Sequence, residues 1–560
     1  CEVSPAAAEV LRSAAAPIVL LPIKPHDQSL AAGVAPGQSY VGAMLPYTPL
    51  HHLLLAEVSR PMVATSGNLS GEPMCIDEAE VITQLGHLAD RFLVHNRPIA
   101  RPVDDSVVQM IGDRPVVLRR ARGYAPFPLP ALPLGLGRGE ASGPEWVVQA
   151  QVDYPDASPL RDHQNMATQP VILAMGGHLK NTIALQVHGH TLMSQHLGDL
   201  ETIATLERLQ ETIHQLCGLY DLKLSDITAI AHDAHPDYAS TQFAQRWLER
   251  ESQAPKLIPV QHHYAHVLSG MVAAQLEPPV LGFAWDGTGY GLDGTIWGGE
   301  LLLIPKREQA DTPEFYRLGR LRPFPLPGGD RAVREPRRSA VGLLYNLQGE
   351  AGLTADVRPW RSFTPTEQTV VRQMLKRGIN TPLTSSIGRL FDAIAALLGF
   401  CQQASFEGQA AMALEQAIAG FATDQTYPYR IQPVVPTGEL STVDPIAELD
   451  LRPMVTAVLH DLEQAVAIAK ISAQVHNTVM AGFVELLMHQ VQTGCLGLSP
   501  DTLPPVVLTG GCLQNRYLVK GLTTQLQAQG FTVYPPALVP PNDGVLAAGQ
   551  VLAAWRSGLV

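Results

Sequence analysis

Four residues of the sequence have side chains that suit a transition-metal site. They are two histidines, His262 and His266, and two aspartates that each precede a glycine, Asp286 and Asp543. Imidazole nitrogens and carboxylate oxygens are donors that both iron and zinc accept in proteins. The sequence therefore predicts that these four residues bind one metal ion, and their chemistry does not decide between iron and zinc.

The spacing of the two histidines favours this interpretation. His262 and His266 are four residues apart, so on a helix both rings project from one face and can reach the same ion. His263 lies between them and points elsewhere, where it could support a ligand or face solvent. The spacing is common, and the alternative is the polar start of an ordinary helix. An aspartate beside a glycine in a turn is free to face a ligand, which favours the metal.

Three apolar runs, each ending in a glycine-rich turn, must position these residues. They span residues 171–177, 280–287 and 506–511 and are typical of buried strands in an α/β fold. Backbone N–H groups in such turns can surround phosphate oxygens. One turn of this kind is a weak signal because α/β proteins contain many. Three in one region favour a nucleotide-binding cleft between two lobes.

A second group of polar residues lies in the first 128 residues. Hydroxyl, amide and guanidinium groups are concentrated in residues 65–68, 95–98, 104–106 and 119–124. Arginine forks bind phosphate through two nitrogens, and serine and asparagine can hold the remaining oxygens. This pattern indicates an anionic ligand such as a triphosphate or an acyl-adenylate. The alternative is a solvated surface strand, which is the usual setting of an Arg-Arg-x-Arg run.

The composition argues against several classes of protein. The chain has 560 residues, 46% of them hydrophobic and 16% charged, which indicates compact globular domains rather than disorder. The net charge of -13 argues against a general nucleic-acid-binding protein, which needs a basic surface. The six cysteines form no Cys-x-x-Cys pair, and no apolar run is long enough to span a membrane. We therefore expect reduced thiols, no membrane span and a cytoplasmic location.

Changes in composition divide the chain into three parts. Residues 1–128 contain short apolar runs separated by proline and glycine turns, as in an α/β layer. Residues 129–168 are rich in proline, glycine, alanine and polar residues, which predicts a linker. Residues 169–560 contain the three glycine-rich turns, followed by stretches with apolar residues at helical spacing. The sequence therefore predicts an α/β domain, a linker and a larger two-lobed α/β domain.

Motifs along the whole chain closely resemble those of the hydrogenase-maturation carbamoyltransferases, the HypF family. The matching motifs are residues 45–53 (LPYTPLHHL), 65–68 (TSGN), 119–126 (RRARGYAP), 261–266 (QHHYAH), 285–291 (WDGTGYG), 388–392 (GRLFD), 407–411 (EGQAA) and 541–544 (PNDG). So many motifs in the same order are hard to explain by chance. The run DAHPDY at residues 233–238 also matches the family, with no role expected beyond helix capping or support of the site.

The resemblance implies a fold of class α/β in which an incomplete YrdC-like domain precedes a TsaD-like domain. The TsaD-like domain has the duplicated, two-lobed fold of actin and the sugar kinases. In this family the first domain makes carbamoyl-adenylate from ATP, with magnesium, and a carbamoyl group derived from carbamoyl phosphate. The second domain transfers the carbamoyl group to the C-terminal cysteine of a partner, HypE. That step supplies the cyanide ligand of the nickel-iron hydrogenase centre.

The family pattern also implies roles for individual residues. The expected catalytic residues are the four metal ligands themselves, His262, His266, Asp286 and Asp543, which would hold one iron or zinc ion. In the TsaD-like domain the residues expected at the nucleotide are Gly176, Gly177, Lys180, Asn181, Asp392, Glu407, Gly510, Gly511 and Asn515, with Asp392 at the ribose. In the YrdC-like domain the residues expected to support adenylation are Ser66, Asn68, Arg97, Ser106, Arg119 and Arg120.

The sequence departs from the family pattern at its beginning. The family's acylphosphatase-like domain, its cysteine-rich zinc modules and the first YrdC-like segments with their Lys-x-Arg clamp are not found, and the sequence starts at Cys1. We therefore expect a truncated sequence or a split gene. The same departure predicts that adenylation needs help from elsewhere, whereas the transferase part is expected to be complete.

Three other functions stay open. An O-carbamoyltransferase acting on a small-molecule hydroxyl uses the same two domain types, although the YrdC-like part comes first here. Threonylcarbamoyl transfer to tRNA, the activity of the TsaD relatives, is disfavoured by the acidic net charge. A metal-binding scaffold for hydrogenase assembly requires no catalysis, and the missing clamp is compatible with it.

Overall fold

The structure is a computed structural model that describes residues 1–24, 30–31, 33–69, 71–129, 169–248, 254–307, 309, 312–354, 356–418, 420–434 and 445–559. The chain divides into two compact units, one of Cys1–Val260 with Pro536–Val560 and one of Gln261–Pro535. Both contain sheets and helices, which confirms the predicted α/β class. The linker predicted at 129–168 lies outside the described residues apart from Leu129, and the predicted domain boundaries stay predictions.

The first unit contains two sheets and the helices that flank them. Its strands are β1 (Ile18–Pro22), β2 (Tyr40–Ala43), β3 (Val107–Ile111), β4 (Arg114–Arg119), β5 (Val171–Ala174), β6 (Ala184–Val187), β7 (His190–Met193), β8 (Ile227–Asp233) and β9 (Lys256–Val260). Its helices are α1 (Pro5–Arg12), α2 (Pro49–Val58), α3 (Glu78–Leu85), α4 (Ile203–Gly218), α5 (Ala239–Leu248) and, at the end of the chain, α16 (Leu546–Arg556), with 3-10 helices at Leu224–Asp226 and Asp543–Val545.

The N-terminal sheet has the strand order β2-β1-β3-β4, with β1 and β3 parallel and the outer pairs antiparallel. Its core is formed where Val10 of α1 packs with Val19, Val108 and Val117 of the strands. By contrast, α2 contains several leucines but buries none of its residues. An apolar helix ordinarily buries at least one face, so α2 exposes unusual hydrophobic surface within the first unit.

The second unit contains a larger sheet, a two-stranded sheet and most of the helices. Its strands are β10 (Val280–Trp285), β11 (Gly299–Ile304), β12 (Tyr316–Leu321), β13 (Phe324–Pro325), β14 (Leu383–Thr384), β15 (Arg430–Pro433), β16 (Ala447–Asp450), β17 (Val506–Thr509) and β18 (Val533–Tyr534). Its helices are α6 (His262–Ala274), α7 (Arg331–Arg334), α8 (Pro336–Gln348), α9 (Arg358–Arg361), α10 (Pro365–Arg377), α11 (Ile387–Leu398), α12 (Gln409–Gln416), α13 (Arg452–Glu463), α14 (Ile468–Gln492) and α15 (Arg516–Ala528), with 3-10 helices at Gly349–Gly352, Cys495–Gly497 and Gly511–Gln514.

Both units contain the same arrangement of five strands. In the first unit the order is β7-β6-β5-β8-β9, and in the second the order β12-β11-β10-β17-β18 occurs within a seven-stranded sheet. In each set the first three strands in sequence pair antiparallel, and the fourth and fifth join in parallel. The repeated topology is the duplicated fold that the family resemblance implied.

Helix α11 is the central helix of the second unit. All twelve of its residues are buried, Ser386 caps its N-terminus, and Gly399 ends it in the left-handed conformation at φ 89°. A helix that is apolar nearly all round is expected in a protein interior. Across the part of the chain that the structure describes, no helix combines the length and hydropathy that crossing a bilayer requires.

Candidate functional site

The two predicted histidine ligands lie in the first turns of α6. The helix begins at His262, and the side chain of Gln261 caps it by accepting a hydrogen bond from the N–H of Tyr264. His262 and His266 are both completely buried. Two imidazoles are rarely buried this fully without a polar partner, so their partner defines the site.

That partner is Asp286, the first residue after β10. Its Oδ2 lies 2.9 Å from Nε2 of His266 and 3.8 Å from Nε2 of His262. The three donor atoms lie within 4.8 Å of one another, and Asp286 is 8% exposed. The second unit therefore brings together three of the four predicted metal ligands.

The loop after β10, residues 286–291, is called the metal loop and reaches the imidazoles because it is rich in glycine. A Cβ at Gly289 would lie 2.7 Å from Cδ2 of His262 and 2.4 Å from Cε1 of His263, closer than side chains pack. The hydroxyl of Ser386 fixes the start of the loop by donating to the carbonyl oxygens of Asp286 and Gly287, at 2.7 and 2.8 Å. Only glycine at position 289 allows this close contact between backbone and rings.

The electrostatics of the three donors suit a cation. Burial alone would raise the pKa of Asp286, but the imidazoles of His262 and His266 hold it well below its ordinary value. A buried carboxylate and two imidazoles that converge through their donor atoms form a set that iron and zinc bind readily. The residues therefore fit the metal that the family pattern implies.

The fourth predicted ligand, Asp543, belongs to the first unit. It begins the 3-10 helix Asp543–Val545, and Asn542 caps that helix by accepting a hydrogen bond from the N–H of Gly544. Within this unit Asp543 lies beside the first glycine turn, which contains Gly176 and Gly177. A Cβ at Gly177 would be 3.4 Å from Oδ2 of Asp543. The binding of Asp543 to the same ion as the other three residues stays a proposal.

The first glycine turn is held in a fixed conformation in the first unit. Gly176 has φ 66°, and a Cβ there would lie 2.1 Å from the carbonyl oxygen of Thr182. The side chain of Asn181 is completely buried and donates to the carbonyls of Met175 and Gly177 at 2.8 and 2.6 Å. Asn181 therefore closes the turn by its own hydrogen bonds.

Lys180 lies in the same turn. Its backbone is left-handed at φ 48°, and its N–H donates to Oδ1 of Asp199 at 2.8 Å. A lysine in this conformation is strained unless its surroundings hold it there. The structure thus holds the backbone of Lys180 beside Asp199, and the predicted role of this lysine at a phosphate stays a prediction.

The second predicted phosphate turn consists of Gly510 and Gly511 and is called the second glycine turn. It adjoins the metal loop of the second unit. A Cβ at Gly510 would lie 2.2 Å from the carbonyl oxygen of Trp285, and one at Gly511 would lie 2.9 Å from Oδ1 of Asp286. Asn515 caps α15 by accepting from the N–H of Leu518 at 3.0 Å. The structure thus places Gly510 and Gly511 beside Asp286, and uses Asn515 to start the next helix.

Asp392 is buried in α11 and pairs with Arg389, whose Nη1 lies 2.9 Å from its Oδ2. Burial raises the pKa of Asp392 to about 6; Arg389 opposes the rise and Glu407 adds to it. Glu407 lies in the segment before α12 and is exposed. The predicted role of Asp392 at a ribose stays a prediction.

The residues predicted to support adenylation are divided between a loop and the N-terminal sheet. Ser66 and Arg97 are exposed in segments without regular structure, and Asn68 donates to the carbonyl of Glu72 at 2.8 Å. Ser106 is completely buried, and its hydroxyl donates to the carbonyl of Arg122 and accepts from the N–H of Ala121. Ser106 therefore stabilises the end of the sheet in this structure.

The arginines of the 119–124 run differ in their surroundings. Arg120 is 5% exposed, donates to the carbonyl of Phe127 at 2.8 Å, and has its pKa lowered to about 10 by burial. Arg119 is partly exposed at the end of β4. Arg122, which lies in the run but is not among the residues expected to support adenylation, pairs with Asp105 at 2.8 Å.

The 233–238 run is also connected to the first glycine turn. The ring of Tyr238 stacks on His235 at 4.1 Å and on His178 at 5.4 Å between ring centroids. His178 follows Gly177 directly, and the N–H of Ala239 at the start of α5 donates to its Nδ1 at 3.4 Å. The stack thus supports the turn, which agrees with the supporting role that the sequence suggested.

Two residues near the metal loop had no role assigned from the sequence. Ser386 bonds the backbone of the loop, and the guanidinium of Arg389 lies 3.1 Å from the position of a Cβ at Gly287. The only sequence signal for Arg389 was its place in the GRLFD motif at 388–392. Ser386 precedes that motif and gave no signal beyond that of a possible helix cap.

Family models match three parts of the chain. Residues 1–121 match the Sua5, YciO and YrdC model, described as telomere recombination. Residues 167–273 match the HypF Kae1-like domain, and residues 282–550 match the second subdomain of the carbamoyltransferase Kae1-like domain. The order confirms a YrdC-like region followed by TsaD-like, or Kae1-like, regions.

Curated relatives and solved structures agree with these matches. Carbamoyltransferase HypF of Synechocystis sp. is 40% identical over 97% of this chain, and that of Rhodobacter capsulatus is 38% identical over 99%. The chain spans 64% of the length of each. A HypF homolog of Cupriavidus necator is 36% identical, and the match covers 69% of this chain and 91% of that protein.

A crystal structure of full-length HypF in a phosphate- and nucleotide-bound form has a TM-score of 0.81 and 34% identity, and covers 99% of this chain and 76% of that chain. The crystal structure of T. kodakarensis HypF has a TM-score of 0.80 and 28% identity, and the match covers 100% of this chain and 66% of that chain. Sequence identity over almost the whole chain and similarity of fold therefore indicate the same family. The chain belongs to the HypF carbamoyltransferase family.

Proposed function

We propose that this chain carries out the carbamoyl-transfer step of a HypF protein, from carbamoyl-adenylate to the C-terminal cysteine of HypE. The observation that supports the proposal is the buried convergence of His262, His266 and Asp286 beside the second glycine turn, in a chain of this family. The proposal includes Asp543 as a fourth ligand, one iron or zinc ion, and carbamoyl phosphate and ATP with magnesium as the sources of the adenylate.

The proposed reaction exchanges one acyl bond for another. The thiolate sulfur of the acceptor forms a bond to the carbamoyl carbon. The bond from that carbon to the phosphate oxygen breaks, AMP leaves with the electron pair, and the thiol proton passes to solvent. The bound divalent ion would supply Lewis acidity, which polarises the carbonyl and favours ionisation of the incoming thiol.

The chain's own residues would bind and orient the reactants. The backbone N–H groups of the two glycine turns are proposed to hold phosphate oxygens, and Asp392 to accept a hydrogen bond from a ribose hydroxyl. Because the ligand side chains are buried, the reacting carbonyl would be kept from water, which limits hydrolysis of the adenylate. The nucleophile belongs to the partner, so none of the six cysteines of this chain is assigned a chemical step.

The test is a transfer assay with a defined acceptor. Metal-loaded protein is mixed with ATP, magnesium, carbamoyl phosphate and HypE, with and without the N-terminal region of a HypF relative supplied separately. Mass spectrometry of the C-terminal HypE peptide should then show a carbamoylated cysteine. Cys512→Ala should transfer as well as the parent protein, because its thiol is not the nucleophile. The assignment fails if the supplemented, metal-loaded protein leaves the HypE cysteine unmodified.

The same assay separates the alternatives. A metal-binding scaffold would hold the ion and leave HypE unmodified in every reaction. An O-carbamoyltransferase would consume the adenylate only when a small-molecule hydroxyl is present. The match to carbamoyltransferases named HypF over almost the whole chain supports a transferase rather than a scaffold, and HypE as the acceptor is part of the proposal.

A further inference from the structure

Arg389 is a buried arginine at the start of the central helix of the second unit. Its backbone N–H donates to the hydroxyl of Ser386, and the same hydroxyl donates to the backbone of the metal loop. The residue is 6% exposed. A guanidinium is always charged, and a buried charge must be compensated by hydrogen bonds and opposite charge.

The compensation available to Arg389 within its unit is incomplete. One nitrogen, Nη1, lies 2.9 Å from one carboxylate oxygen of Asp392. The Nε group is buried and has no hydrogen-bond partner among the described residues. A guanidinium carries five N–H donors in a planar fork, so a contact through one nitrogen leaves donor capacity unused.

The free side of this guanidinium faces the loop that carries a metal ligand. Its Nη2 lies 3.1 Å from the position of a Cβ at Gly287, the residue after Asp286. The second glycine turn meets the same loop, because a Cβ at Gly511 would lie 2.9 Å from Oδ1 of Asp286. Arg389, at Gly287, and a predicted phosphate-binding turn, at Asp286, therefore border neighbouring residues of the loop that carries the predicted metal ligand.

We propose that Arg389 is a substrate-binding residue that donates hydrogen bonds to the phosphoryl oxygens of the bound adenylate. The ligand class is the oxyanion of a nucleoside monophosphate, which matches the planar fork in shape and charge. Glycine at 287 leaves space for the guanidinium to approach the loop. In the transfer, this contact stabilises the charge that grows on the phosphate as AMP leaves. The inference rests on the proposed function, because it names a contact within the same site.

The experiment compares AMP with adenosine as probes of the metal-loaded full chain. Binding of both is measured by calorimetry for the parent protein, Arg389→Gln and Arg389→Lys. Loss of a charge-assisted contact to phosphate should weaken AMP binding roughly ten- to hundred-fold in Arg389→Gln, with adenosine affinity unchanged. Arg389→Lys keeps the charge without the fork and should give an intermediate loss. It also keeps Asp392 paired, so it tests the proposal if the glutamine variant does not fold.

A matched control is Arg338→Gln. Arg338 is buried in the same unit at 4% exposure and pairs with Glu335 at 2.9 Å, on a different helix. Its replacement should change unfolding temperature without changing the ratio of AMP to adenosine affinity. A folded, metal-loaded Arg389→Gln protein that binds AMP as tightly as the parent overturns the inference, and so does an equal loss for both probes. If Arg389 sets AMP affinity and HypE stays unmodified, the inference holds and the proposed function fails.

Discussion

Asn542 donates a hydrogen bond from Nδ2 to the carbonyl oxygen of Leu118 at 3.0 Å, across 424 positions of sequence. Its Oδ1 accepts from the N–H of Gly544 at 3.0 Å, so both ends of the amide fix the turn that contains Asp543. Asn542→Ala removes both bonds and should loosen that proposed ligand. We expect metal affinity to fall roughly ten-fold, as with other residues that orient a ligand.

Competition with a chelator measures this loss. The matched control is Asn477→Ala, since Asn477 is a comparably buried asparagine that donates to the carbonyls of Thr423 and Gln425 and is assigned no metal role. An equal loss of metal affinity in both variants would show a general loss of stability instead.

The neighbouring histidines of α6 should differ in metal binding. His266→Gln removes a nitrogen that lies 2.9 Å from the carboxylate of Asp286, so the protein should retain almost no iron or zinc after dialysis. His263→Gln alters an equally buried ring one position after His262, and should retain metal. Elemental analysis of folded proteins checks both. Retention by His266→Gln with loss by His263→Gln would refute the ligand assignment.

Glu415 should make the protein less stable as the pH rises. Burial raises its pKa to about 7, with hydrogen bonds from the N–H groups of Arg516 and Tyr517 opposing the rise. The folded state therefore binds this proton more tightly than the unfolded state. The contribution to stability is full below about pH 4.5 and is lost as the pH rises through 7. Glu415→Gln should thus raise the free energy of unfolding by roughly 1–3 kcal/mol at pH 8 and leave it nearly unchanged at pH 4.5.

Denaturant unfolding at the two pH values measures the difference. Glu485→Gln is a suitable control because Glu485 accepts a hydrogen bond from Tyr429 in an exposed pair. A gain for Glu415→Gln that is the same at both pH values would contradict the assigned titration.

His196 should make the protein less stable as the pH falls into the acid range, which is the opposite of the effect of Glu415. Burial lowers its pKa to about 3, and the charges of Arg119 and Lys180 add to the effect. The unfolded chain binds the proton first, so stability is unaffected above about pH 6.5 and falls as the pH drops from there towards 3. His196→Gln should remove up to about 1 kcal/mol of this loss per pH unit. Unfolding measured between pH 7 and pH 5 checks the slope, and parallel curves for the two proteins would contradict the prediction.

Parts of the site could be predicted because they are local in sequence. The spacing of His262 and His266 fixes one helix face, and the glycine turns follow directly from strand-like runs. The contacts of Arg389 and Asn542 could not be predicted. Arg389 meets the metal loop about a hundred positions away, and Asn542 contacts Leu118 across 424 positions. Such pairings depend on the tertiary fold, and periodicity carries no signal for them.

Residues with two competing roles were also hard to assign. Ser106 and Asn181 look like ligand contacts because they are polar and lie in motifs. In the structure their side chains bond to nearby backbone groups and hold the chain in place. Short polar side chains satisfy local backbone groups as readily as ligands, and residue type alone does not separate the two.

The repeated strand order places predicted site residues after corresponding strands of the two five-strand sets. Gly176 follows β5 and Asp286 follows β10, and each of these is the first strand of its five-strand set. His262 follows β9 and Asp543 comes after β18, and each of these is the fifth. A doubled ancestral gene would supply such paired positions twice. The first pair of positions holds a glycine and a carboxylate, and the second holds an imidazole and a carboxylate.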